Sequence, residues 1–154
     1  MIKRLFTSNF TPIIVTNTAW RKINSISNKL SINKFIFSAT SGGCNGYNYN
    51  LTTLDNIKYN NIITTSKIKP TIINDNKNII LIDPVSEFLL LGTTIDYIEE
   101  DFEKNVYENK FVFTPDKKTN SSCGCGISFT PLWYFNSLRI NNYNIISLIY
   151  YWKW

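Results

Sequence analysis

Residues 34–53 read KFIFSATSGGCNGYNYNLTT, which predicts two β-strands joined by a glycine-rich turn. In the second strand, Tyr47, Tyr49 and Leu51 alternate with polar residues, as expected of a half-buried strand. Because the turn carries Cys44 between its glycines, a chemically reactive side chain is predicted at the tip of a hairpin.

Two helices are predicted elsewhere in the chain. Residues 16–28 combine a Thr cap at Thr16 with a periodic apolar stripe, which predicts an amphipathic helix. Residues 79–82 predict a short buried strand. Asp83 follows it as the predicted N-cap of a second short helix, which should stop at Gly92.

The rest of the chain gives weaker signals. Residues 55–78 are polar and predict a long, partly irregular excursion, with weak strand signals at 62–65 and 71–73. Further strands are predicted around residues 95–97 and 111–113, separated by an acidic, solvated stretch at 99–103.

Composition excludes several classes of protein. The chain has 154 residues, enough for one domain, and no apolar run approaches the roughly 20 residues of a membrane span. Its net charge is +5, but its basic residues form neither a cluster nor a known module, so we expect no nucleic-acid partner. Histidine is absent, which removes the commonest general base and nitrogen ligand, so we expect no enzyme here.

The cysteines point to a metal. All three cysteines and five of the six glycines fall in two segments, residues 41–46 and 123–126, which contain Cys44, Cys123 and Cys125. Thiolates are soft ligands for iron-sulfur clusters, zinc or cuprous ion, and neighbouring glycines let backbone N–H groups approach the sulfur atoms. We therefore predict that the three cysteines bind one metal centre.

Three ligands leave such a site incomplete. A tetrahedral zinc site or a common cluster needs four, and no histidine can supply the fourth. A second copy of the chain is the economical source of further thiolates, so we expect a homodimer or higher oligomer.

The cysteines could have two other roles. Cys44 could be a buried small hydrophobic residue beside a passive turn, but that does not explain the shared glycines. Cys123 and Cys125 could form a redox pair, but the usual C-x-x-C spacing is missing. An odd number of cysteines argues against a secreted disulfide framework and favours a reducing compartment, the cytoplasm or the mitochondrion.

Three motifs together resemble the A-type iron-sulfur carriers of the HesB, IscA and SufA kind. They are SGGCNGYNY at 41–49, DPVSEFLLLGTTIDY at 83–97 and CGCGISF at 123–129. The helix at 16–28 also resembles the opening helix of that family, so the resemblance covers about residues 11–130.

The resemblance implies an α+β, mainly β fold: a compact HesB-like domain with short mixed sheets and a few helices. It implies that Cys44, Cys123 and Cys125 are ligands of iron or of an iron-sulfur cluster, [2Fe-2S] or [4Fe-4S]. Its implied partners are a cluster donor scaffold and recipient apoproteins. The alternatives are an iron or zinc protein that never holds sulfide, and a membrane-peripheral adaptor that acts through the C-terminal residues 131–154.

Both ends of the chain depart from the resemblance. Residues 1–10 are basic and predict a flexible leader or a short transit peptide. Residues 131–154 hold eight aromatic side chains, which could dock on the domain, contact a partner or lie at a membrane interface. Cys44 and Cys123 are also 79 positions apart, farther than the resemblance leads us to expect.

Overall fold

The computed structural model describes residues 13–42, 46–100, 107–117, 120–122, 124 and 127–131. Within these residues there are three helices, α1 (Asn17–Leu30), α2 (Asn56–Thr65) and α3 (Glu87–Leu90). The strands are β1 (Ile14–Val15), β2 (Lys34–Ser41), β3 (Tyr47–Thr53), β4 (Ile72–Asp75), β5 (Asn78–Ile82), β6 (Thr94–Ile98), β7 (Lys110–Thr114), β8 (Asn120–Ser122) and β9 (Ser128–Pro131).

Two mixed sheets organise the chain. The larger has the strand order β4-β5-β2-β3-β9-β8, in which only β2 and β5 are parallel neighbours. The smaller has the order β1-β6-β7, with β1 parallel to β6. The expectation of an α+β, mainly β fold with mixed sheets and few helices is confirmed.

Helix α1 forms where the sequence predicts it. The Thr16 hydroxyl accepts a hydrogen bond from the Ala19 backbone N–H at 3.2 Å, which satisfies one of the free donors of the first turn. Ala19 and Ile23 are fully buried and place the apolar face of the helix against the core.

The core is a single cluster of buried side chains. Both sheets, α1 and α3 contribute to it, and the largest fully buried members are Phe37, Phe129, Ile23, Ile80, Leu90 and Ile95. Strand β2 lies inside the larger sheet, between β5 and β3. Its Phe37 ring contacts Tyr49 of β3 and Phe113 of the smaller sheet. The hairpin that leads to Cys44 is therefore built on an interior strand of the larger sheet.

The weak strand signal at 62–65 is wrong. These residues form the end of α2, which begins after Asp55, whose carboxylate accepts a hydrogen bond from the Lys58 N–H at 2.7 Å. No residue of α2 is buried, so the β-branched residues at its end have no sheet surface to pack on. The strand signal at 71–73 is confirmed by β4.

The predicted start of the second helix is also wrong. Ser86, and not Asp83, occupies the N-cap position of α3. The Asp83 carboxylate instead accepts hydrogen bonds from the N–H and the hydroxyl of Ser86, which turns residues 83–86 back before the helix begins. Gly92, at φ +76°, follows the helix as predicted.

The remaining predictions divide into two groups. The strands at 95–97 and 111–113 are confirmed by β6 and β7, and Glu99 and Glu100 are exposed as expected of a solvated stretch. Residues 1–10, 101–103 and 132–154 lie outside the described residues. In the part of the chain that is described, no helix has the length and apolar character needed to cross a bilayer.

Candidate metal centre

The first cysteine segment sits on the hairpin of β2 and β3. Seven residue pairs join the two strands, ending with Ser41 opposite Tyr47. The Gly42 N–H donates a hydrogen bond to the Gly46 carbonyl at 2.8 Å and closes the loop that leaves the sheet. Cys44, midway between these glycines in sequence, lies outside the described residues.

Both glycines at the base of this loop are required by the backbone. Gly42 has φ +140° and Gly46 has φ +95°, a region that side-chain-bearing residues rarely adopt. A Cβ at Gly46 would meet no atom within 4 Å, so the demand there comes from the dihedral angle and not from crowding. The glycine enrichment seen in the sequence therefore has a conformational cause.

The second cysteine segment sits on the hairpin of β8 and β9. Ser122 pairs with Phe129, and Phe129 pairs in turn with Tyr47 of β3. Cys123 and Cys125 also lie outside the described residues, whereas Gly124 between them is exposed and forms part of a turn.

One lateral row of residues links the two hairpins. Ser41, Tyr47, Phe129 and Ser122 are successive partners across β2, β3, β9 and β8. With neighbouring strands about 4.8 Å apart, Ser122 lies about 10 Å from Tyr47 across the sheet. The residue that precedes Cys123 is therefore two strands away from the strand that follows Cys44.

The two segments leave this row in opposite directions. The Gly42–Gly46 loop continues past the end of β2. The β8–β9 turn lies on the other side of the row, where the Ile127 carbonyl accepts a hydrogen bond from the Tyr49 N–H at 3.1 Å. The two segments thus belong to hairpins that both pair with β3, but they leave the sheet at opposite ends of the strands.

A cluster of aromatic rings lies beneath the row. Phe129 stacks on Tyr49 with ring centroids 4.2 Å apart and lies 5.8 Å from the Tyr47 ring. Phe113 of β7 joins Tyr49 at 5.2 Å and Phe37 at 5.4 Å. These contacts anchor β9 to β3 and to the smaller sheet, so the short β8–β9 hairpin has a rigid base.

Two buried hydroxyls stand at this base. Among the described residues, neither Tyr49 Oη nor Thr93 Oγ1 has a hydrogen bond of good geometry. Burial raises the pKa of Tyr49 to about 12, and an interaction with the Thr93 hydroxyl lowers this pKa by a smaller amount. The sequence analysis did not identify this pair, because period-2 alternation shows which face Tyr49 occupies but not which polar groups meet there.

The described residues offer no cluster of three or more side chains that could bind a metal. Among them there is no group of three or more Cys, Asp and Glu side chains close enough to share an ion. The three cysteines lie outside the described residues and stay the candidate ligands predicted from the sequence.

Comparison with known proteins gives a consistent set of relatives. No protein-family model matches the chain. The chain is 35% identical over 121 residues to the iron-sulfur cluster insertion protein ErpA of Buchnera aphidicola, covering 77% of this chain and 92% of that protein. It is also 32% identical over 119 residues to the mitochondrial iron-sulfur cluster assembly 1 homolog of Dictyostelium discoideum, covering 75% of this chain and 76% of that one.

The chain belongs to the A-type iron-sulfur carrier family. Solved structures of the same fold agree with this. IscA with a [2Fe-2S] cluster superposes with a TM-score of 0.54 over 77% of this chain and 96% of that chain, at 19% identity. Escherichia coli SufA superposes with a TM-score of 0.55 over 76% and 90%, also at 19% identity.

The match to the ErpA relative spans 92% of that protein, so this chain covers nearly the whole length of that relative. No residue of helix α2 is buried, and the helix lies between β3 and β4 in the chain without joining either sheet.

Proposed function

We propose that Cys44, Cys123 and Cys125 bind an iron-sulfur cluster through their thiolates, and that the chain passes this cluster as cargo to recipient apoproteins. The supporting observation is the four-residue row from Ser41 to Ser122, which ties the flanks of both cysteine segments to one strand. Family membership supports the identity of the cargo, since relatives are iron-sulfur cluster insertion and assembly proteins.

Thiolate chemistry suits a cargo that must be released. Cysteine thiolates bind iron strongly, yet an incoming thiolate of the recipient can displace them one at a time. The cargo in this proposal is [2Fe-2S] or [4Fe-4S], loaded as a unit or built from bound iron. The chain acts as a carrier and not as an enzyme, which fits a sequence without histidine.

A homodimer is part of the proposal. The two cysteine segments leave the Ser41–Ser122 row in opposite directions, and three thiolates do not complete a four-ligand shell. A second copy, related by a two-fold axis, can bring its own thiolates to the first copy's segment. A shared shell at a subunit interface also opens more readily than one enclosed by a single chain.

The proposal extends to cellular context and to the ends of the chain. Donor scaffolds and recipient apoproteins are the partners, in the cytoplasm or the mitochondrion; the relatives include bacterial proteins and a mitochondrial one. Residues 11–130 form the carrier domain, residues 1–10 a leader and residues 131–154 an aromatic extension. Pro131 pairs with Asn120 within the larger sheet, so the extension begins directly at its boundary.

Anaerobic reconstitution with iron and sulfide tests the proposal. The wild-type chain should develop visible charge-transfer absorption together with acid-labile sulfide, and Cys44→Ser should abolish both. Ser122→Ala, beside Cys123 but without a thiol, is the matched control and should load normally. Metal bound without sulfide would identify an iron or zinc protein instead, and full loading of Cys44→Ser would remove that residue from the site.

Mixing two defective chains tests the shared shell. One chain carries Cys44→Ser and the other carries Cys123→Ser with Cys125→Ser, so neither loads alone. If two subunits share the site, an equal mixture should regain part of the absorption through mixed dimers. No recovery, in a sample shown by sedimentation to exchange subunits, would place all three ligands within one chain.

A further inference from the structure

The segment from residue 83 to residue 93 has no cysteine, yet it contacts the flanks of both cysteine segments. It follows β5, contains α3 and ends at the start of β6. Leu90, fully buried, fixes it to the core. Among its contacts with the rest of the fold, two lie near the cysteine segments, one beside each.

The first contact supports the end of β2. Strand β5 pairs with β2 only as far as Ile82, which lies opposite Phe37. The next backbone N–H of β2 that faces β5, that of Ala39, therefore has no partner in that strand. The Ser86 hydroxyl accepts this hydrogen bond at 3.0 Å. Ser86 is 3% exposed, and its hydroxyl donates in turn to the Asp83 carboxylate at 2.6 Å.

This chain of hydrogen bonds replaces a missing strand. A buried N–H without a partner is costly, so the Ser86 hydroxyl satisfies the β5-facing edge of β2 two residues beyond the end of β5, while β3 pairs with the other edge. Ser41 and Gly42, which open the loop of Cys44, follow directly. The position of that loop therefore depends on Ser86 and Asp83.

The second contact supports the approach to β8. Gly92 has φ +76°, and a Cβ added there would lie 2.7 Å from the Cβ of Asp116. The Asp116 carbonyl accepts a hydrogen bond from the N–H of Asn120, the first residue of β8, at 2.9 Å. The close approach of Gly92 therefore sets the turn that leads through β8 to Cys123.

We infer that the 83–93 segment fixes the position of the two cysteine segments relative to each other, with Ser86 and Gly92 as positioning residues. This inference rests on the proposed function for its consequence, the retention of the cluster. Ser86 acts on the Cys44 loop through Ala39, and Gly92 acts on the Cys123–Cys125 turn through Asp116. Neither residue is a ligand.

Distance measurement between spin labels tests the positioning directly and needs no cluster. Nitroxide labels are attached to Cys44 and Cys125 in a Cys123→Ser chain, diluted with unlabelled chain so that each dimer carries one labelled copy. We expect Ser86→Ala and Gly92→Ala each to broaden or shift the distance distribution. Thr71→Val is the matched control: it removes a hydroxyl bonded to Glu87 of the same segment, away from β2 and β8, and should leave the distribution unchanged.

A second pair of variants separates positioning from misfolding. Asp116→Gly removes the Cβ that a side chain at Gly92 would strike, so the double variant should recover part of the wild-type distribution relative to Gly92→Ala alone; the strain of a side chain at φ +76° remains in both. The effects of Asp83→Ala and Ser86→Ala on the distance distribution should not be additive, because both substitutions interrupt the same chain of hydrogen bonds. Unchanged distributions in folded Ser86→Ala and Gly92→Ala chains would overturn the inference.

Cluster release provides the functional readout in wild-type cysteine background. Loss of one buried hydrogen bond should make transfer to a chelator about tenfold faster in Ser86→Ala, with Thr71→Val unchanged. If no variant, the wild type included, retains a cluster while the label distances still respond, the proposed function fails and the positioning stands. If clusters load and release equally in all chains with equal label distances, the positioning fails and the function stands.

Discussion

The buried hydroxyl of Tyr49 gives the sharpest test of the fold. Tyr49→Phe removes one oxygen atom and keeps the ring that stacks on Phe129. Because Tyr49 Oη has no hydrogen bond of good geometry among the described residues, the folded chain loses at most its interaction with the Thr93 hydroxyl, while the burial cost of a polar group disappears. We expect the free energy of unfolding at pH 7 to rise by about 1–2 kcal/mol.

The same substitution should change the response to alkali. Burial raises the pKa of Tyr49 from 10.0 to about 12, so the folded state keeps its proton after the unfolded state has lost it. The wild-type chain therefore loses stability as the pH rises above 10. For a single group with these two pKa values, the loss at pH 11 is about 1.4 kcal/mol, and it is absent from Tyr49→Phe.

Urea unfolding at pH 7, 9 and 11, under reducing conditions, measures both effects. The gap between Tyr49→Phe and wild type should widen between pH 9 and pH 11, whereas every other titrating group contributes equally to both chains. Cluster loading should be unchanged, because the ring stack is intact. A parallel decline of the two chains, or a less stable Tyr49→Phe at pH 7, would show that the hydroxyl is satisfied and the reasoning wrong.

Three other substitutions test separate parts of the fold. Thr93→Val, which replaces the second buried hydroxyl by a methyl group of similar shape, should leave stability unchanged or raise it in the same urea assay. Phe129→Ala should cost about 3–5 kcal/mol in urea unfolding and impair cluster loading, because a fully buried ring holds β9 on β3; equal loading would detach the aromatic base from the site. Hydrogen bonds from the hydroxyls of Thr16, the larger effect, and Thr18 lower the pKa of Asp96 in the folded chain. The ionised carboxylate therefore stabilises the fold above the pKa that Asp96 has in the unfolded chain. This stabilisation is lost as the pH falls through the lower pKa of the folded chain. Asp96→Asn should flatten the acid limb of stability below pH 4, and an unchanged limb would contradict this.

Local patterns predicted the elements whose neighbours are close in sequence. The hairpin of β2 and β3 follows from alternation around a glycine turn, and α1 follows from its cap and apolar stripe. Helix α2 was missed because its Ile- and Thr-rich end has strand propensity, and the deciding feature was the Asp55 cap at its other end. Propensity alone could not tell whether a sheet edge was available to pair with it.

Strand pairings remote in sequence could not be predicted in the same way. The short strands β8 and β9 flank the second cysteine segment, yet three or four residues carry no measurable period. The place of β9 beside β3 depends on the contacts of the Phe129 ring with the rings of Tyr47 and Tyr49, which only the folded chain creates. The motif containing Ser86 and Gly92 was visible as a sequence, but its contacts with Ala39 and Asp116 were not.

A carrier must bind its cargo firmly and also release it, and the described fold separates these demands in space. Phe129 is buried and rigidly stacked, while Ser41 and Ser122, in the same row, are exposed at the points where the cysteine segments begin. Rigid strands thus end within one to three residues of each proposed ligand, and Gly124 is exposed where a recipient thiolate could approach. Under the proposed function, order in the sheet would limit how far the proposed ligands move apart, and the exposed Gly42, Gly46 and Gly124 would leave a route for exchange. Substitutions in the aromatic base should therefore weaken binding, whereas substitutions in the segments should change the rate of transfer.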